Sequence, residues 1–228
     1  MSSARKLVRR RIPAHAMARP AARAARARIL DAAIDGMRRR GLAGAALNEI
    51  VAAANAPKGS LYHYFPEGKD AIVCEAMGVY GERVREYIEQ SLAGARSAPH
   101  AVRALLRAVA ERLRQSGFEQ SCAVGAVSLD VGVGDVRIVA CAAGEFRSWI
   151  DVIESHLPIP DASRRRQVAG FVLTAIQGAY VRGRAERSIA PMLEAGDCLA
   201  ALVAAMVAQP RQEDDDERRN SRTKDRRQ

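Results

Sequence analysis

An all-α fold is what this sequence predicts, and three observations carry that expectation. Ala, Leu, Arg and Glu dominate the 228 residues, and all are good helix formers. Apolar residues recur at three- and four-residue intervals over long stretches, while strand-like alternation is hard to find. Between residues 46 and 70, two short helical segments flank a tight break, and the second carries Lys58, Ser60, Tyr62, His63 and Tyr64. This is the layout of a helix-turn-helix whose second helix enters a DNA groove. The expected architecture is a three-helix head followed by a larger helical domain.

The first helix is expected over residues 21–40. Ile29, Leu30, Ala33, Ile34 and Met37 make one apolar stripe at helical spacing, and Gly41 stops it. The second helix, residues 47–55, contributes Leu47, Ile50, Val51 and Ala54. Glu49 stands where a capping box puts its acid, yet the hydroxyl cap is replaced by Ala46. That loss costs about 1 kcal/mol and removes a candidate phosphate ligand, a role that passes to Asn48.

Pro57 suits the first turn of the third helix. Leu61 and Phe65, four residues apart, face inward there. Lys58 with Tyr62, and Gly59 with His63, point away from the core beside Ser60. A cation, hydroxyls, an imidazole and an aromatic ring are groups that bond phosphates and base edges. The bland alternative is a solvated helix face.

A long fourth helix, residues 68–93, repeats Ile72, Ala76, Tyr80, Val84, Ile88 and Leu92 every four residues. It joins the head to the larger domain and is suited to transmitting movement between them. A helix starting at Ser97-Ala98-Pro99 carries Val102, Leu105, Leu106, Val109 and Leu113. A short helix is expected within residues 117–134. Residues 135–157 place Val136, Val139, Ala143, Phe146, Ile150 and Ile153 on one face, with Trp149 at its flank. Two last helices are expected over 163–187 and 191–208. The first of them aligns Gly170, Thr174 and Gly178, small residues that allow close packing inside the subunit or between two subunits.

Charge is unevenly spread. Residues 1–47 hold 12 Lys/Arg against 2 Asp/Glu, while residues 48–228 hold 24 of each, so the net +10 sits on and before the helix-turn-helix. The choice of 32 Arg over 4 Lys, beside 44 Ala, reads as a high-GC codon signature rather than a functional preference. Residues 1–20 have three open readings: a basic disordered arm adding phosphate or minor-groove contacts, residues preceding a start at Met17, or a transit peptide without the usual Ser enrichment. Residues 209–228, with 7 basic and 6 acidic side chains, read as a disordered charged tail. The expected domains are therefore the arm at 1–20, the head at 21–67, an effector-binding and dimerisation domain at 68–208, and the tail.

Cys74, Cys122, Cys141 and Cys198 lie far apart without a C-x-x-C, and they read as small apolar residues within helices; the spacing does not argue for a redox pair. The longest uninterrupted apolar run, residues 198–208, is 11 residues, about half a bilayer span, so no membrane and a cytoplasmic setting are expected. The four histidines (His15, His63, His100 and His156) are scattered, and no nucleophile–base pair, metal-ligand cluster, phosphate loop or paired carboxylates stand out. An enzyme, a metal and a cofactor are not expected.

Ile29-Leu30-Asp31-Ala32-Ala33, Gly41, Leu47-x-x-Ile50 and Lys58-Gly59-Ser60-Leu61-Tyr62-His63-Tyr64-Phe65, followed by Lys69, resemble the tetracycline-repressor (TetR) family of bacterial regulators. The extra residue in Pro66-Glu67-Gly68 is similar to the LmrA/YxaF-type branch, as are Cys122-Ala123-Val124-Gly125 and Gly178-Ala179 with Arg184-Ala185. The resemblance implies an all-α homodimer that binds operator DNA and a small-molecule effector. By motif position Lys58, Gly59, Ser60 and Tyr62 meet the groove, Tyr64 and Lys69 take phosphates, and His63 has a less defined role. Ala45 and Ala46 depart from the family's usual hydroxyls. Effector-pocket candidates, chosen for aromatic or polar character around the core, are Phe118, Trp149, Phe171, Gln177 and Tyr180; ordinary core packing is the competing reading for each. The leading function is a repressor released from a palindromic operator by a small, largely apolar effector. The alternative is a sequence-independent architectural DNA binder without one.

Overall fold

The computed structural model describes residues 14–208, with side chains from residue 22 onward. The charged tail and the first 13 residues of the basic arm fall outside them. Among the described residues the structure is helical, with no strand.

Helix α1 spans Ala14–Arg40. It begins seven residues before the expected start, so residues 14–20 are helical rather than a disordered arm. Pro20 lies within this helix and removes one intrahelical bond. Ile29, Ala33, Ile34 and Met37 are buried along its expected stripe. The chain then turns through a 3₁₀ segment, Gly41–Ala45, where Gly41 adopts φ 61°. Gly36 and Gly44 pack backbone to backbone across this turn: a Cβ on either would collide with the other's carbonyl.

Helices α2 (Leu47–Ala53) and α3 (Lys58–Tyr64) complete the head. Ala46 caps α2 without a side-chain bond, and Glu49 pairs with Arg40 instead of reaching back to close a capping box. Pro57 is the N-cap of α3, in extended conformation, rather than a first-turn residue. Leu61 and Phe65 are buried, and the Arg26 guanidinium lies 4.9 Å from the Phe65 ring centroid while also pairing with Glu75.

The larger body comprises α4 (Lys69–Ala93), α5 (Ala98–Gln115), α6 (Ala123–Asp130), α7 (Val136–Ser155), α8 (Ala162–Glu186) and α9 (Ala190–Ala208). Gly68, at φ 80°, makes the turn into α4. Ser97 caps α5 by accepting from the His100 N–H, with Pro99 in the first turn, and Asp161 caps α8 through the Arg164 N–H at 2.6 Å. The buried face of α5 holds Val102, Leu105, Leu106, Val109 and Leu113.

Two expectations need correction. The buried face of α7 is Ile138, Ala142, Trp149 and Ile153, so Trp149 lies at its centre, whereas Val136 and Val139 are exposed. An apolar-rich helix offers two overlapping stripes, and contact with α4 selects one of them. Cys74 on α4 and Cys141 on α7 are not independent small apolar residues: their sulfurs are bonded, with Cα atoms 5.7 Å apart. Helix α9, with a mean hydropathy of 1.5, is long and apolar enough by composition to cross a membrane. It packs through Met192, Leu199, Ala200 and Val203, and its Asp197 meets Arg103 of α5 at 2.6 Å.

Candidate nucleic-acid interface and core cavity

The outer side of the head is built by two constraints. Helix α3 has only seven residues, so its orientation depends on the inward anchors Leu61 and Phe65. With these fixed, helical spacing turns Lys58, Gly59, Tyr62 and His63 outward, and all four are exposed. Tyr62 is 52% exposed. Ser60, Tyr64 and Lys69 are half-buried, Asn48 is exposed on α2, and His63 stacks edge-on to Tyr64 at 5.2 Å. Among the described residues, Asn48, Lys58, Ser60, Tyr62 and Lys69 make no side-chain hydrogen bond or ion pair within the chain. Their donors are free for an external acceptor.

The arginines of α1 behave differently. Arg26 holds Glu75, Arg39 holds Asp35 and Glu119, Arg40 holds Glu49, and Arg28 donates to the Ala54 carbonyl. Much of the positive charge that the sequence puts near the head is thus already engaged in fastening it. Among the described residues, Lys58 on α3 and Lys69 at the start of α4 keep unpaired cations.

Several ties join the head to the body: along α1, Arg26 pairs with Glu75 and Asp31 with Arg83 of α4. At the end of α1, the Asp130 carboxylate accepts from the Leu42 N–H at 2.8 Å, and Arg38 and Ser121 exchange hydrogen bonds through their backbones and side chains. At the base of α4, Glu67 pairs with Arg137 of α7 at 2.5 Å.

Behind these ties lies a partly open cavity of about 180 Å³, walled by α1, α4, α5, α7, α8 and the start of α6. Trp149, Gln177 and Tyr180, all sequence candidates, border it. The Trp149 indole N–H donates to the Gly81 carbonyl at 2.9 Å, and its ring meets Tyr80 and Phe146 edge-on. Phe118 borders the adjoining space, a wide basin of about 1150 Å³ that opens outward across α6 and α8 and shares Gln177 and Tyr180 with the cavity. Phe171 lines neither; it is 53% exposed on the outer side of α8.

Sequence reasoning missed the polar part of the cavity. Arg38 enters from α1 with its guanidinium 5.9 Å from the Tyr80 ring, and Arg112 enters from α5 at 3.8 Å from the Tyr87 ring. No carboxylate is among the lining residues. Burial pushes the Tyr80 and Tyr180 phenols up, so both stay protonated donors, and burial does the same to the Cys122 thiol. The only sequence signal was the seven-residue spacing of Tyr80 and Tyr87 on one face of α4.

Comparison with known proteins agrees with this anatomy. Residues 29–76 match the bacterial regulatory proteins of the tetR family, and residues 98–198 match the C-terminal domain of LmrA/YxaF-like transcriptional regulators. An uncharacterised HTH-type transcriptional regulator of Mycobacterium tuberculosis (strain H37Rv) is 30% identical, over 68% of this chain and 82% of its own. The HTH-type transcriptional regulator LmrA of Bacillus subtilis is 24% identical, over 78% and 96%. Among solved structures, a TetR regulatory protein from Rhodobacter sphaeroides superposes with a TM-score of 0.68 at 22% identity, covering 78% of this chain and 97% of its own. A CifR cysteine mutant bound to 26-bp operator DNA superposes equally well, at 0.68 and 21% identity, covering 81% and 96%. The chain belongs to the TetR family of bacterial transcriptional regulators, DNA-binding proteins rather than enzymes.

Proposed function

We propose that the protein is a dimeric repressor released from a palindromic operator by a small, largely apolar effector. Residues 21–67 form the reading head and 68–208 the effector-binding and dimerisation body. Lys58, Gly59, Ser60 and Tyr62 meet the groove, Asn48, Tyr64 and Lys69 take flanking phosphates, and His63 stands beside them on the DNA side. Two copies of α3 then occupy successive major grooves about one helical turn apart.

One observation carries the reading. The cavity, at about 180 Å³, is smaller than the roughly 300–1,000 Å³ of an ordinary ligand site, and α4 is one of its walls. An occupant therefore pushes that wall outward, and α4 leads directly to Lys69 and the head. The shift is no larger than the occupant's preference for the widened state allows. The lining favours a ring against Trp149 and Tyr80, with an acceptor or negative charge toward Arg38 and Arg112.

Dimerisation has independent support. A Cβ at Gly170 or Gly178 would meet nothing within 4 Å, so this stripe has no partner inside the subunit. Phe171 and Val181 are exposed on the same helix, and a second copy over α8 and α9 covers them. The test is binding, across a salt series, to the promoter beside its own gene and to scrambled DNA of equal length. Tighter binding to the promoter is expected; equal affinity favours the architectural alternative and ends the repressor reading.

A further inference from the structure

We propose that Cys74 and Cys141 form a reversible oxidation site, taking a small hydroperoxide as its oxidant, whose disulfide latches α4 to α7 and fixes the head against the body. The inference rests on the reading of α4 as the moving link between cavity and head.

Position is the first argument. Cys74 lies in the second turn of α4, just beyond Lys69 and short of the cavity residue Tyr80. Cys141 faces it from α7, the helix whose Arg137 also holds Glu67 at the end of the head. A covalent link here clamps α4 between its two functional ends. The ion pair beside it is exposed and contributes little, so a covalent bond changes the junction's freedom substantially.

Geometry is the second. The Cα separation of 5.7 Å lies within the range that accommodates a disulfide without moving the backbone. Both residues are half-buried at the α4–α7 seam. A small peroxide reaches such sulfurs more readily than a bulky disulfide does. The other thiols fit the chemistry less well: Cys122 is buried with its thiol held protonated, and Cys198 is exposed and unpaired.

The chemistry balances. One thiolate attacks a peroxide oxygen and the O–O bond breaks, giving a sulfenic acid and, after protonation, one water or alcohol. The second thiol attacks the sulfenic sulfur, the S–O bond breaks, and water leaves as the S–S bond forms. Two thiols have lost two electrons and the peroxide has gained them. A dithiol reductant reverses the step by thiol–disulfide exchange.

The experiment uses the full chain as C122S/C198S, so that only this pair remains, with the further C74S variant as control. Hydrogen peroxide and then dithiothreitol are added while three quantities are read: the Cys74–Cys141 cross-linked peptide by mass spectrometry, amide exchange across residues 67–80, and affinity for the promoter duplex. Expected are a reversible cross-link, at least tenfold slower exchange in the first turns of α4, and at least a tenfold change in DNA affinity, none of which C74S displays. Free thiols after peroxide overturn the proposal. So does a cross-link that leaves exchange and affinity as they are in C74S. Failure of the promoter to bind in every redox state, with the cross-link and slowed exchange intact, refutes the operator reading and leaves the latch standing.

Discussion

The outer side of α3 and the cavity behind α4 are opposite solutions to presenting polar chemistry. On α3, Lys58 and Tyr62 stand in solvent without a partner, held in direction by two buried neighbours on the same short helix. In the cavity, Arg38 and Arg112 lean on the rings of Tyr80 and Tyr87, and each comes from a different helix. The first arrangement costs almost nothing in folding and offers its groups to whatever docks. The second depends on the whole body. The outer side of α3 is therefore a local construction, and the cavity is a distributed one.

The largest expected effect breaks the distributed side. Trp149→Ala removes a 1%-exposed ring from the cavity wall together with its bond to Gly81. It should cost about 3–5 kcal/mol in denaturant unfolding, because the surroundings collapse only partly around the space. A loss below about 1 kcal/mol would mean that the α4–α7 seam does not depend on this ring.

On the local side, Tyr62→Ala should weaken promoter binding by about 1–3 kcal/mol with the melting curve unchanged. Leu61→Ala, one residue away but facing inward, should do the reverse, costing about 2–5 kcal/mol of stability. If both variants move the same measurement, the division of α3 into inner and outer faces is wrong.

The smallest effect tests the seam electrostatically. Burial, and then the negative charge of Glu82, raise the Glu145 carboxyl above its usual range where it lies against Gly81. A carboxyl with a raised folded-state pKa favours folding below its unfolded value, and that contribution is lost as pH rises through the folded one. Glu145→Gln should accordingly raise the melting temperature at neutral pH and lose the advantage below the ordinary carboxylate range. The group is partly exposed, so the gain should stay under about 1 kcal/mol. A gain that persists at acid pH would point to packing instead of charge.

The head was legible because its information is short-ranged. The pairs Leu61/Phe65 and Lys58/Tyr62 follow from helical spacing alone, and the missing cap at Ala46 follows from residue type. The body was less so. Phe171 and Trp149 look equally suited to a pocket as residue types, yet one faces outward and the other is sealed at the centre of α7. The sequence separation of 67 between Cys74 and Cys141 carries no signal of their meeting. Even the arginines of α1, which read as a DNA-directed charge, are largely committed to Glu75, Glu119 and Glu49 from other segments.

By itself, the sequence determined the helical class, the turn within the head and the direction of the reading residues, since each depends on neighbours three or four positions away. Tertiary structure alone decided which stripe of α7 is buried, which polar groups share the cavity, and that α4 and α7 bring two cysteines together. Those depend on the packing of helices distant along the chain, where side chains compete for the same space and only the assembled fold selects among them.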